Sequence, residues 1–156
     1  MTSGYTVRRV VLARQPTAVM RAELAPEQMS QWLPECYWKV AEYLRTVDVQ
    51  PAGPPFARFT FLADVIAVEA GFPCTAEITG DGEVEPSALP GGPAAVTTHM
   101  GRYDDLGSAY KAVHAWLVAR GRAEAGPHWE VYFTDPTAEP DSSHWRTDVV
   151  TPYRAA

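Results

Sequence analysis

The segment HWEVYFTDP, residues 128 to 136, alternates Trp129, Val131 and Phe133 with Glu130 and Tyr132, a period-two pattern that reads as a β-strand ending at Asp135-Pro136. Alternation sets Glu130 and Tyr132 on one face, a carboxylate beside an aromatic ring. Two chemistries suit such a pair. A carboxylate among rings suits a flat or cationic organic molecule, to which cation-π attraction adds about 0.5–2 kcal/mol. A desolvated carboxylate, lifted above its usual pKa of about 4.3, can instead orient water or shuttle a proton. A solvated acid on an exposed strand face is the alternative that periodicity leaves open.

The remaining residues with chemical potential are dispersed. Cys36 and Cys74 have no CxxC spacing and read as packed thiols, and His99, His114, His128 and His144 follow no metal-ligand rhythm. Neither a metal nor a cofactor is expected. A net charge of -6, with no Lys/Arg cluster to offset it, argues against direct nucleic-acid binding and favours cationic partners. No apolar run approaches the roughly 20 residues that cross a bilayer, so no membrane partner is expected. The start, MTSGYTVRRVVLAR, passes directly into strand-like alternation without a secretory signal pattern, which leads to the expectation of a cytoplasmic protein. With 156 residues, one globular domain spanning 1–156 is expected.

The elements that would position the acid come in two similar sets. Leu33, Tyr37, Val40 and Leu44 form one helical stripe; Leu106, Tyr110, Val113 and Leu117 form another, each pair 73 positions apart. The same offset carries Ala52-Gly53-Pro54 onto Ala125-Gly126-Pro127. Amphipathicity can align two helices but not the loop after them, so the chain reads as an internal repeat, about 5–73 and about 80–154. Each half supplies strand, strand, helix, strand, strand: 7–14, 17–24, the first helix, 56–61 and 65–71, then 83–89, 93–101, the second helix, 129–135 and 146–150. Pro34 is expected to open the first helix and Asp104 to cap the second. GDG at 80–82 and LPGG at 89–92 read as turns. Few long helices, many short strands and hairpin-length links indicate an α+β fold with an antiparallel sheet, and an approximate two-fold between the repeats would place a cleft between them.

The repeat also serves as a control on the acid. The offset aligns Phe56 with Trp129, Phe59 with Tyr132 and Ala57 with Glu130. A fold that takes Ala57 at one copy has no architectural need for a carboxylate at the other, and burying one costs several kcal/mol unless something pairs with it.

HWEVYFTDP with the following SSHWRTDVVTP, the upstream THMGRYDDLGSAYKAVHAWLVARG, and VEAGFP at 68–73 together resemble the GyrI-like small-molecule-binding family, a domain also found as the effector-binding part of AraC-type and MerR-type regulators. The resemblance implies paired strand-helix-strand-strand modules of the SHS2 type around a central ligand cleft. It makes Glu130 the central contact to cationic aromatic ligands, Tyr103 the tyrosine of the HxGxY segment, and Glu69 a second typical acid. Tyr132, Phe59 and Trp38 are further candidates for the lining, although core packing explains Tyr132 and Phe59 equally well and Trp38 lies off the helical stripe. A stand-alone multidrug-binding protein is the leading expectation. A hydrolase of cyclopropanoid DNA-alkylating compounds, with Glu130 handling the proton and Tyr103 or Tyr132 facing a developing oxyanion, is the alternative. Inhibition of gyrase is a third reading that no residue specifically supports.

Overall fold

The computed structural model describes residues 4–154. Their elements run β1 (Val7–Leu12), β2 (Gln15–Leu24), α1 (Met29–Thr46), β3 (Phe56–Phe61), β4 (Ile66–Pro73), β5 (Glu85–Leu89), β6 (Gly92–Met100), α2 (Leu106–Ala119), β7 (Trp129–Tyr132) and β8 (Arg146–Pro152). The strands pair antiparallel with a helix packed on them, so the fold is α+β as expected. The chain divides into two compact units: a contiguous one, Arg14–Pro90, and a discontinuous one made of the chain up to Ala13 and from Gly91 onward.

In the contiguous unit the strand order is β3-β4-β2-β5, and α1 packs against β4 and β2. Cys36, Val40 and Leu44, four residues apart, are its buried face. Full burial of a side chain such as Leu44 is worth about 1.5–3 kcal/mol. The Cys36 thiol donates to the Ala70 carbonyl at 3.4 Å, and burial pushes it up to about 12, leaving it a packing group. The discontinuous unit has the order β1-β6-β8-β7 with α2 packed on β6, β1 and β8. Its core joins Leu106, Ala109, Val113 and Leu117 of α2 to Ala95, Val149 and Tyr153.

Hydrogen bonds whose donors lie 73 positions apart in the sequence are matched between the two units. Ala52 N–H donates to the Pro73 carbonyl at 2.7 Å, as Ala125 N–H does to Pro152 at 2.9 Å, and the bridge Pro51–Cys74 has its counterpart in Glu124–Tyr153. Both helices also end alike. Val49 N–H reaches back to Leu44 and Arg122 N–H to Leu117, around left-handed residues Asp48 (φ 56°) and Gly121 (φ 63°).

Pairing does not follow the two halves of the sequence strand by strand. β1 pairs with β6, and β5 with β2, so the first strand of each half joins the sheet built by the other half. Hairpin turns of two residues need positive φ at their first central position. Proline at position 90 cannot supply it, and Ala13-Arg14 has no glycine to supply it cheaply. Three local expectations are also corrected. Pro34 lies inside α1, which starts at Met29 after a 3-10 turn opened by Pro26 and secured by Ala25 N–H donating to Gln28 Oε1 at 2.8 Å. Asp105, not Asp104, occupies the N-cap of α2, without a side-chain cap; Asp104 instead pairs with Arg102 at 3.1 Å. β7 stops at Tyr132, and Phe133 is exposed beneath the Arg146 guanidinium, 4.0 Å from its ring centroid.

Candidate functional site

β7 and β8 pair with Glu130 opposite Val149 and Tyr132 opposite Thr147, and β8 pairs with β6 with Val149 opposite Thr97 and Thr147 opposite His99. Directly opposed residues share a face. Val149 packs under α2, so Glu130, Tyr132, Thr147, Thr97 and His99 all belong to the helix-covered side of the sheet. Glu130 is 8% exposed and is not a solvated strand residue. Its partners are tyrosines: Tyr132 donates to Oε1 at 2.8 Å and Tyr110, from α2, donates to Oε2.

No lysine or arginine of its own chain is paired with Glu130 among the described residues. Burial raises its pKa above 4.5, while the hydrogen bonds from Tyr110 and Tyr132 and the nearby His99 act to lower it. The Tyr110 hydroxyl is itself held strongly protonated by burial and by the carboxylate it serves.

An aromatic path leads to this acid. Tyr103, in the turn before α2, is 37% exposed; it meets Tyr132 edge-on at 5.8 Å and stacks on Trp145 at 5.2 Å. Burial raises its hydroxyl pKa, with the charges of Asp135 and Glu130 adding to the effect. The turn is pinned from below by His99, whose Nε2–H donates to the Arg102 carbonyl at 2.9 Å while Nδ1 and the Tyr5 hydroxyl share a hydrogen bond of 2.8 Å. Trp145 is fixed by its indole N–H on the Glu139 carbonyl at 2.7 Å.

Glu130, Tyr132 and Tyr103 are therefore brought together. Tyr110 and His99 join them, neither of which sequence reasoning assigned to the site, and so does Trp145, for which the sequence leaves lining the cleft and anchoring the C-terminal strand equally open. Tyr110 lay concealed in a hydrophobic stripe, yet the repeat carried a signal: tyrosine recurs at positions 37 and 110 where an aliphatic residue would pack equally well. In the contiguous unit Tyr37 donates to the Phe56 carbonyl at 2.9 Å, whereas in the discontinuous one the equivalent hydroxyl serves a carboxylate.

The other three candidates belong to the contiguous unit. Glu69 is engaged by Arg21 at 2.9 Å, by Arg58 at 3.8 Å and by the Ser87 hydroxyl at 3.0 Å, on the sheet face opposite the one that packs on α1. Its charge is already matched. Phe59 is 8% exposed within its sheet, and Trp38 is 66% exposed on α1.

Chemically, the arrangement is a buried carboxylate with no lysine or arginine paired to it among the described residues, two hydroxyls directed at it and a partly exposed aromatic cluster beside it. It can neutralise a bound cation, or hold and release a proton. The described helices include none long and apolar enough to cross a membrane.

Several solved structures have the same fold. The C-terminal domain of EcmrR superposes with a TM-score of 0.85 at 16% identity, covering 98% of this chain and 99% of that one. A hydrolase from Listeria innocua matches with a TM-score of 0.71 at 10% identity, covering 95% and 91%. SAV2435 bound to tetraphenylphosphonium matches with a TM-score of 0.61 at 12% identity, covering 96% and 94%. No curated protein matches the sequence. A model of the GyrI-like small molecule binding domain matches residues 8–154, nearly the whole length, and the chain belongs to that family.

Proposed function

We propose that this small-molecule-binding domain takes up hydrophobic, aromatic organic cations, with Glu130 as their counter-charge and Tyr103, Tyr132 and Trp145 as the rings against which their own rings pack. The observation that carries this reading is the buried Glu130 carboxylate, held by tyrosine hydroxyls with no cation of its own chain paired to it among the described residues. Such a group is costly to maintain, and an incoming cation offsets the cost. Ring stacking and charge attraction make few demands on ligand shape, so the site suits several drugs rather than one. That SAV2435 is seen with tetraphenylphosphonium supports the choice of a lipophilic cation as probe.

Calorimetric titration with tetraphenylphosphonium is expected to give saturable binding that Glu130→Gln weakens about tenfold or more, corresponding to about 1.4 kcal/mol. Equal affinity in the variant would remove Glu130 from the proposal.

A second reading has its own observation: an acid with a raised pKa beside the Tyr110 and Tyr132 hydroxyls is equipped for proton transfer. On a strained cyclopropane conjugated to a carbonyl, water would add to the ring carbon as the strained bond opens toward the carbonyl. Glu130 would accept the water proton and Tyr103 would donate to the oxyanion that forms, the Tyr132 hydroxyl proton being already committed to Glu130. Consumption of such a substrate in large molar excess over protein distinguishes turnover from stoichiometric sequestration.

A further inference from the structure

A cavity elsewhere in the discontinuous unit has an electrostatic character opposite to that of the Glu130 site. It measures about 540 Å³ and is lined by Val7 and Arg9 of β1, Trp116 and Arg120 at the end of α2, Arg122 just beyond, and Tyr153. That volume lies in the range of about 300–1,000 Å³ typical of small-ligand sites. Trp116 and Tyr153 meet edge-on at 5.8 Å, forming an aromatic wall, and the Arg120 guanidinium lies 4.0 Å from the Trp116 ring centroid.

Three arginines lining one cavity in a chain of net charge -6 require an explanation. Among the described residues none of the three is in an ion pair, although Glu124 lies only two positions beyond Arg122. An arginine at a helix C-terminus is favoured by the helix dipole, which accounts for Arg120. It does not account for Arg9, on a strand, or for Arg122, whose N–H already caps Leu117.

The repeat shows that the architecture does not need them. The strand registers align Arg9 with Pro86, since Arg9 opposes Ala95 as Pro86 opposes Ala18. The matched helix ends align Arg120 with Val47 and Arg122 with Val49, and the matched bridges align Tyr153 with Cys74. At every equivalent position the contiguous unit is uncharged. There Tyr43, the counterpart of Trp116, accepts a hydrogen bond from Gly80 N–H at 2.9 Å, and Val84 is buried, so packing takes the place of charge.

We infer that this cavity is a second ligand site, selective for a planar ring bearing a carboxylate or a phosphate, with Arg9 and Arg122 binding the anion and Trp116 and Tyr153 the ring. Arginine is the side chain best matched to both oxyanions, through bidentate hydrogen bonds, and its plane also stacks on aromatic faces. This site is independent of the cation site at Glu130.

The test is calorimetric titration of the intact protein with salicylate and, separately, with AMP in phosphate-free Tris at low salt, with benzyl alcohol and adenosine as uncharged controls. The expected result is one-to-one binding of at least one anion, weakened tenfold or more by Arg9→Gln and by Arg122→Gln, unchanged by Glu130→Gln, with no comparable binding of the controls. Which anion binds tells an aromatic acid from a nucleotide. Both arginines are partly or fully exposed, and unchanged circular dichroism melts would verify that the variants fold. Absence of binding by both anions at millimolar concentration, affinity indifferent to both arginine substitutions, or equal binding of the uncharged controls would overturn the inference.

Discussion

Glu130 is held at a cost to stability, and the sign of that cost is measurable. Its folded pKa is raised above 4.5 chiefly by burial, so its stabilising contribution is present at pH below 4.5 and is lost as pH rises through the higher folded value. Glu130→Gln is therefore expected to melt above the wild type at neutral pH, with the gap closing on acidification. Each 1 kcal/mol corresponds to roughly 2–4 °C in a chain of this size. Affinity of the wild type for tetraphenylphosphonium should rise with pH across the same interval, while that of Glu130→Gln stays flat.

The tyrosine pair separates a site role from a packing role. Tyr110→Phe removes a donor to the carboxylate, moving the pH dependence of binding upward, whereas Tyr37→Phe removes a bond to the Phe56 carbonyl and should cost about 1 kcal/mol of stability without altering affinity. An unshifted binding profile in Tyr110→Phe would count against the hydroxyl's influence on the acid.

At the scale of elements, helix α1 carries two local compromises that α2 avoids. Pro34 sits in its interior, where proline lacks an N–H and is about 3 kcal/mol less favourable than alanine. The side chain is exposed, so little packing would be lost on its removal. Asp48 adopts φ 56° where its counterpart is Gly121. Chemical denaturation should find Pro34→Ala more stable by about 1–3 kcal/mol and Asp48→Gly by about 0.5–1 kcal/mol. The gains should add, since the residues share no partner. Periodicity reports which face a helix buries, but the start of α1 was hidden because the 3-10 turn at Pro26 supplies the earlier entry and demotes Pro34 to an interior position.

For the molecule as a whole, the compact units of the structure and the halves read from the sequence have different boundaries. β5 completes the sheet of the contiguous unit by pairing with β2, and lies outside a fragment cut at the repeat boundary. Of two fragments, 14–90 should retain cooperative unfolding and amide protection in β2 better than 5–73, which lacks β5 and carries β1 without its partner β6. Equal protection in the two would mean that β5 contributes little to its sheet.

The sequence alone determined the α+β class and the shared face of Glu130 and Tyr132, because these rest on local periodicity, and the family through the resemblance of its motifs. It also marked Glu130 as an addition, since Ala57 fills the equivalent place. Only the tertiary structure decided that Glu69 is neutralised by Arg21 and Arg58 while Glu130 is met by Tyr110 and Tyr132. Both carboxylates occupy strands and look alike in sequence. What distinguishes them is which distant side chains the pairing of strands and the packing of a helix bring within hydrogen-bonding reach, and no spacing along the chain encodes that.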